Sequence, residues 1–242
     1  MCGIFGFVGA ERNAGTLLKN LKRMARVNES RGAHSFGFAW IDSRDRLRHY
    51  RQPGPISRNL ETLDRVADAK MFIGHCRYVT QGDPGHNINN HPHPSDGGWI
   101  VHNGSVHAYE KIADGYDLPL TSDCDSEVIG ALIEQLDGDL KTRVQKAVNL
   151  CSRTDFSFMG IWPRPNRLVV VRAGKPLFYG LRRGGFGQYF SSCRSGLPGH
   201  VHQCSNNYGE VLELNRVDQL YGSCIAIQRP APVRTARPLL WR

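Results

Sequence analysis

The chain has 242 residues, of which 40% are apolar and 22% charged, and a formal net charge of +9. That is enough for one well-packed domain, and no apolar run is long enough to cross a bilayer. The apolar start "MCGIFGFVGA" lacks a basic leading region and runs straight into Glu11 and Arg12, so no secretory signal is read there.

Residues 3–8 alternate loosely around Ile4, Phe5, Phe7 and Val8 and predict a buried strand. Residues 14–27 carry Leu17, Leu18, Leu21, Met24 and Val27 at helical spacing. Residues 36–41 and 46–51 read as paired strands around a polar turn at Asp42–Asp45. A helix is expected over 59–68 and a buried strand over 70–76. Residues 79–97, rich in Gly, Pro, Asn and His, read as one long loop, and such loops are usually functional. A strand over 99–104 is followed by a helix over 126–136 with Asp125 as its N-cap, and by a second helix over 139–150. Short strands are expected at 154–162, 167–172, 177–181, 187–192, 210–214 and 223–228. The stretch 229–242 is rich in Pro and Arg and reads as an extended tail. Short strands interrupted by helices fit a sheet-on-sheet core flanked by helices.

The seven cysteines are scattered, and no CxxC pair or HExxH run marks a metal site. No cofactor and no metal are expected; a metal site from His86, His91 and His93, with His75 or His102, is the weaker alternative. Unpaired thiols fit a reducing, cytoplasmic compartment. The dispersed positive charge reads as a solvated basic surface. Direct nucleic-acid binding is a weaker alternative, because no basic run is interleaved with aromatics.

Cys2 stands apart. Aminopeptidases remove an initiator Met before a small side chain, and the nucleophile and a free α-amine then belong to one residue. An α-amine with a pKa of about 7.7–8.0 is partly neutral near pH 7 and can serve as base toward its own thiol. Gly3 and Gly6 would leave the neighbouring backbone open to a substrate. Attack on an amide also needs an oxyanion hole, and Asn103 and Gly104 supply a side-chain and a backbone donor at a strand end. An amino-acid amide as substrate would also carry an α-carboxylate and an α-ammonium. Arg77, at the end of a buried strand, suits the first, and Asp125 suits the second. Taken singly, each has a plainer reading: a core thiol, a turn, an internal ion pair, a helix cap.

Together these stretches resemble the class II glutamine amidotransferase family, the N-terminal-nucleophile glutaminases. "MCGIFGFVG", "RGAHSFGFAW", "GHCRYVTQG", "NNHPHP", "VHNGSV" and "SDCDSEVIGALI" follow in the family's order, and "RLVVVRAGKPLFYGL" and "GEVLELN" resemble its closing strands. The resemblance covers residues 1–228. It implies an α+β fold, a four-layer αββα sandwich of the N-terminal-nucleophile hydrolase type. It also implies hydrolysis of L-glutamine through a Cys2 thioester, with Asn103 and Gly104 as the oxyanion hole. Arg77 would bind the α-carboxylate and Asp125 the α-ammonium, with Tyr78, Thr80 and His91 lining the substrate pocket. His34 replaces the family's usual Asp, which puts the local hydrogen bonding there in question. No synthase region is apparent, so a separate ammonia-accepting subunit or enzyme is expected, with the basic surface and tail as docking elements. The alternatives are a catalytically silent binding module, favoured if Met1 stays attached, and a γ-glutamyl amide hydrolase, against which Gly3 argues because such relatives begin with Cys-Arg.

Overall fold

The computed structural model describes residues 1–9, 13–151, 154–181, 187–215 and 219–227. The expected tail over 229–242 lies outside them. The elements in chain order are β1 (Gly3–Val8), α1 (Ala14–Glu29), β2 (Ser35–Ile41), β3 (Leu47–Pro53), β4 (Met71–Arg77), β5 (His93–Ser95), β6 (Gly98–Asn103), α2 (Tyr109–Tyr116), α3 (Glu127–Gln135) and α4 (Leu140–Cys151). Then come β7 (Phe156–Trp162), β8 (Asn166–Ala173), β9 (Phe178–Leu181), β10 (Gln188–Ser191), β11 (His200–Gln203), β12 (Tyr208–Leu214) and β13 (Leu220–Cys224).

The strands form two antiparallel sheets, ordered β11-β9-β10-β1-β4-β2-β3 and β13-β12-β8-β7-β6-β5. Alternation along β1 explains the layering. Ile4 and Val8 join Ile73, Val101, Met159 and Val170 between the sheets. Phe5 and Phe7 face the other way, into a cluster with Leu17, Leu21 and Met24 of α1. On the far face of the second sheet, Val128, Leu132, Val144 and Val148 of α3 and α4 cover Ile100, Phe158, Val169 and Val171. A strand apolar on both faces must be covered on both, and the result is the expected αββα stack.

Several elements differ from expectation. Residues 59–68 make a 3-10 turn at Leu60–Val66, preceded by another at Ile56–Arg58, instead of an α-helix. The long loop contains a 3-10 turn at Asn87–Asn89 and the edge strand β5. The last described strand ends at Cys224 instead of spanning 223–228. The short elements α2 and β11 were not read from sequence. α2 buries no residue fully and depends on partial packing of Tyr109, Ile112 and Tyr116. Asp125 is not the N-cap of α3: Ser126 holds that position.

Candidate active site

β1 lies beside β4 in the centre of the first sheet, with Gly3 opposite Cys76. The residue before β1 therefore falls beside the residues that follow β4. The Cys2 Sγ lies 3.4 Å from the Tyr78 backbone nitrogen, which donates to it, and 3.5 Å from the Tyr78 carbonyl. The Arg31 Nε donates to the Cys2 carbonyl at 2.9 Å and fixes the start of the chain. The neighbouring Gly32 is needed for close approach, because a Cβ there would stand 2.3 Å from the Tyr78 nitrogen. His34 resolves the departure from the family pattern: its Nδ1 accepts from the Val79 N–H at 3.0 Å.

Gly3 and Gly6 have a different part from the one expected. A Cβ on Gly3 would meet the Asn28 carbonyl at 2.5 Å, and one on Gly6 would meet the Met159 sulfur at 3.0 Å. Both glycines serve packing of α1 and of the sandwich interior, and neither opens the backbone to a substrate.

A cleft of about 290 Å³ runs past the thiol, lined by Cys2, Tyr78, Thr80, Asn103, Gly104 and Lys175 among others. Asn103 ends β6 opposite Ser157, and its side-chain amide lies 3.5 Å from the Ser157 hydroxyl. Met1 also lines the cleft, with its sulfur 3.8 Å from Arg31 and 3.9 Å from Lys175. Burial pushes the Cys2 thiol up from its usual value and Asp125 adds to that, while the Tyr78 N–H, the nearby terminal ammonium and Arg77 pull it down.

Arg77 is 3% exposed. Its guanidinium donates to Asn90 Oδ1 at 2.8 Å, to the Gly82 carbonyl at 3.3 Å and to the Gln81 carbonyl. All three acceptors are neutral. Asn90 is itself held by the Ser35 hydroxyl at 2.6 Å and by the Pro84 carbonyl at 2.8 Å. One Asp125 carboxylate oxygen accepts from the Val106 N–H at 2.6 Å, and the other accepts from the Ser126 hydroxyl at 3.5 Å. Burial raises its carboxyl above the usual range. Neither Arg77 nor Asp125 forms an ion pair among the described residues.

His91 departs from expectation. Like Arg77 and Asp125, which lie buried beside the thiol, it is not among the residues lining the cleft. Its ring is buried and stacks on His75 of β4 at 3.8 Å. Tyr78 and Thr80 do reach the cleft, both as exposed residues. Arg31 and Asn90, which aim the backbone of Cys2 and the guanidinium of Arg77, were not assigned roles from sequence. The "RG" and "NNHPHP" stretches were the available signals.

No protein-family model matches the chain. It is 31% identical over 224 residues to the glutamine–fructose-6-phosphate aminotransferase (isomerizing) of Bacillus subtilis, an overlap covering 90% of this chain and 35% of that protein. The enzyme of the same name from Idiomarina loihiensis is 33% identical over 230 residues, covering 90% of this chain and 36% of that protein. The chain thus spans about a third of the length of these curated relatives. Among solved structures, the glutamine phosphoribosylpyrophosphate amidotransferase of B. subtilis, complexed with ADP and GMP, superposes with a TM-score of 0.72. That match covers 94% of this chain and 50% of the other, at 18% identity, and shows a shared fold.

Proposed function

The chain belongs to the class II glutamine amidotransferase family, and on that premise we propose that it hydrolyses the side-chain amide of L-glutamine and supplies the ammonia to an acceptor. One observation carries this reading. A buried arginine and a buried carboxylate, each without an ion-pair partner among the described residues, lie close enough to the Cys2 thiol to act on its charge. Leaving two opposite charges buried and unpaired is costly. A zwitterionic amino acid would satisfy both, its carboxylate on Arg77 and its ammonium on Asp125.

Glutamine held by that clamp extends its amide toward Cys2. With Met1 removed, the Cys2 amine takes the thiol proton and the thiolate attacks the amide carbon. The oxyanion forms where the Asn103 side-chain amide and the Gly104 N–H can donate to it. The ammonium returns its proton to the leaving nitrogen, ammonia departs, and water hydrolyses the γ-glutamyl thioester to glutamate. Burial holds neutral Cys2 as a thiol until the base acts, which limits wasteful thiolate chemistry.

The acceptor of the ammonia is to be identified by what co-purifies with the native protein. All seven cysteines are free thiols, which supports a reducing, cytoplasmic setting. The decisive test is glutamate release by the mature protein against Cys2→Ala, with intact mass measured on the same sample. Loss of one Met mass and activity that vanishes in Cys2→Ala are expected; equal rates for the two proteins would refute the proposal. Retention of Met1 would favour the silent binding module, because Met1 then occupies the cleft and the free amine is not on Cys2.

A further inference from the structure

His91, His93 and Cys124 converge behind the glutamine clamp. They are 3%, 1% and 4% exposed, and their ligand atoms all lie within 4.8 Å of one another. Both ring nitrogens of His91 and the Nε2 of His93 are buried without a hydrogen-bond partner. A buried polar atom left unpaired is rare and destabilising, so three of them on two neighbouring rings call for an explanation.

We propose that His91, His93 and Cys124 bind one divalent transition-metal ion of the zinc class. Two imidazoles and a thiolate form a soft, nitrogen-and-sulfur donor set that suits zinc over magnesium or calcium. Bonds of about 2.0–2.3 Å place tetrahedral ligands roughly 3.5 Å apart, so the side chains need to draw in by about 1 Å. A water completes the fourth position. Binding displaces the Cys124 thiol proton to solvent. Burial and the nearby Asp125 push the Cys124 thiol up to about 11, so the ion itself must drive its deprotonation, with the Ser126 N–H placed to donate to the sulfur. Arg51 and Arg77 oppose a cation here, whereas Asp125 favours it. An ion here is therefore held by thiolate and imidazole bonds, not by surrounding charge.

The ion would tie two segments that hydrogen bonds already clasp. Asn89 donates to Asp123 at 3.3 Å and accepts from the Asp123 N–H at 2.9 Å. One segment carries Asn90, which orients Arg77, and the other carries Asp125. The ion is therefore a positioning element for the glutamine clamp, and this consequence, unlike the binding itself, rests on the proposed function.

The test titrates Co²⁺ into chelator-treated protein, measures metal content after purification, and follows melting with added Zn²⁺. Expected are about one equivalent of metal, tetrahedral cobalt bands with thiolate-to-cobalt charge transfer, and a Tm rise of roughly 5–10 °C at a hundredfold excess over Kd. Cys124→Ser should lose the charge-transfer band while Cys151→Ser keeps it; His93→Gln, checked by circular dichroism, gives an independent second variant. Wild-type protein with no bound metal and no charge-transfer band overturns the site. If metal binds but glutamine KM is the same with and without it, the positioning role falls. If metal binds and no glutamate is ever released, the site stands and the glutaminase reading falls.

Discussion

Replacing Gly104 by Ala tests the oxyanion site without touching the thiol or the clamp. A Cβ there would stand 2.7 Å from the Phe156 Cβ, 2.8 Å from the His102 Nε2 and 3.0 Å from the Asp155 carbonyl. Ordinary contact begins near 3.4 Å, so the tightest of these is about 0.7 Å too close. Phe156 and His102 are buried and cannot yield: the Nδ1 of His102 is already within 2.9 Å of the Ser126 hydroxyl. The backbone of residue 104 must shift, and its N–H shifts with it. A displacement of about 1 Å at a reacting centre costs roughly 100-fold, and loss of one oxyanion donor roughly 100- to 1,000-fold in kcat. Overpacking should add a destabilisation of about 1–3 kcal/mol, or a Tm lower by roughly 3–10 °C. Steady-state glutamate release with a parallel melt separates these effects. The expected result is a kcat lower by at least about 100-fold, with glutamine KM little changed because Arg77 and Asp125 are untouched. A folded variant with wild-type kcat would refute Gly104 as an oxyanion donor.

Asp125→Asn should separate binding from stability. Losing a charge-assisted contact to the substrate ammonium predicts a glutamine KM raised about 10- to 100-fold. Burial lifts this carboxyl above 3.8, so folding favours its protonated form. The resulting stability is present below that value and is lost as pH rises through the raised one, so at pH 7 the neutral Asn should keep or raise Tm. A lowered Tm with unchanged KM would contradict the assignment. The buried imidazoles of His75 and His102 are both pushed down to about 3. Their neutral form is favoured by folding, so the stability they contribute is complete above about pH 6.5 and is lost as pH falls toward 3, by up to about 1.4 kcal/mol per pH unit for each. In metal-free protein, NMR should show both rings neutral down to pH 5; titration near 6.5 would disprove their burial.

The residues proposed to act on glutamine were legible because chemistry restricts their type and strand ends restrict their place. Cys2, Arg77 and Asn103 each sit at the end of a strand whose apolar pattern is visible in the sequence, and the structure brings those ends to one edge of the sandwich. Asp125 is not the helix cap that its place before a helix suggests; its carboxylate accepts from the Val106 N–H, 19 residues back, and no local rule for helix caps anticipates that contact. The residues that aim the others were harder to see. Arg31 reaches Cys2 across 29 positions, and Ser35 reaches Asn90 across 55. Such contacts exist only after α1 has packed on β1 and after the loop has folded against β2. His91 shows the same limit from the other side. Its motif suggested a pocket residue, yet stacking on His75 takes its ring away from the cleft and toward His93 and Cys124. The loop from 79 to 97 and the residue before it therefore divide their roles. Tyr78 and Thr80 meet the cleft, Asn90 orients the arginine, and the two histidines face the segment that leads into α3. Spacing along the chain carries no trace of that division, because the partners that define it lie on β2, β4 and the turn before α3.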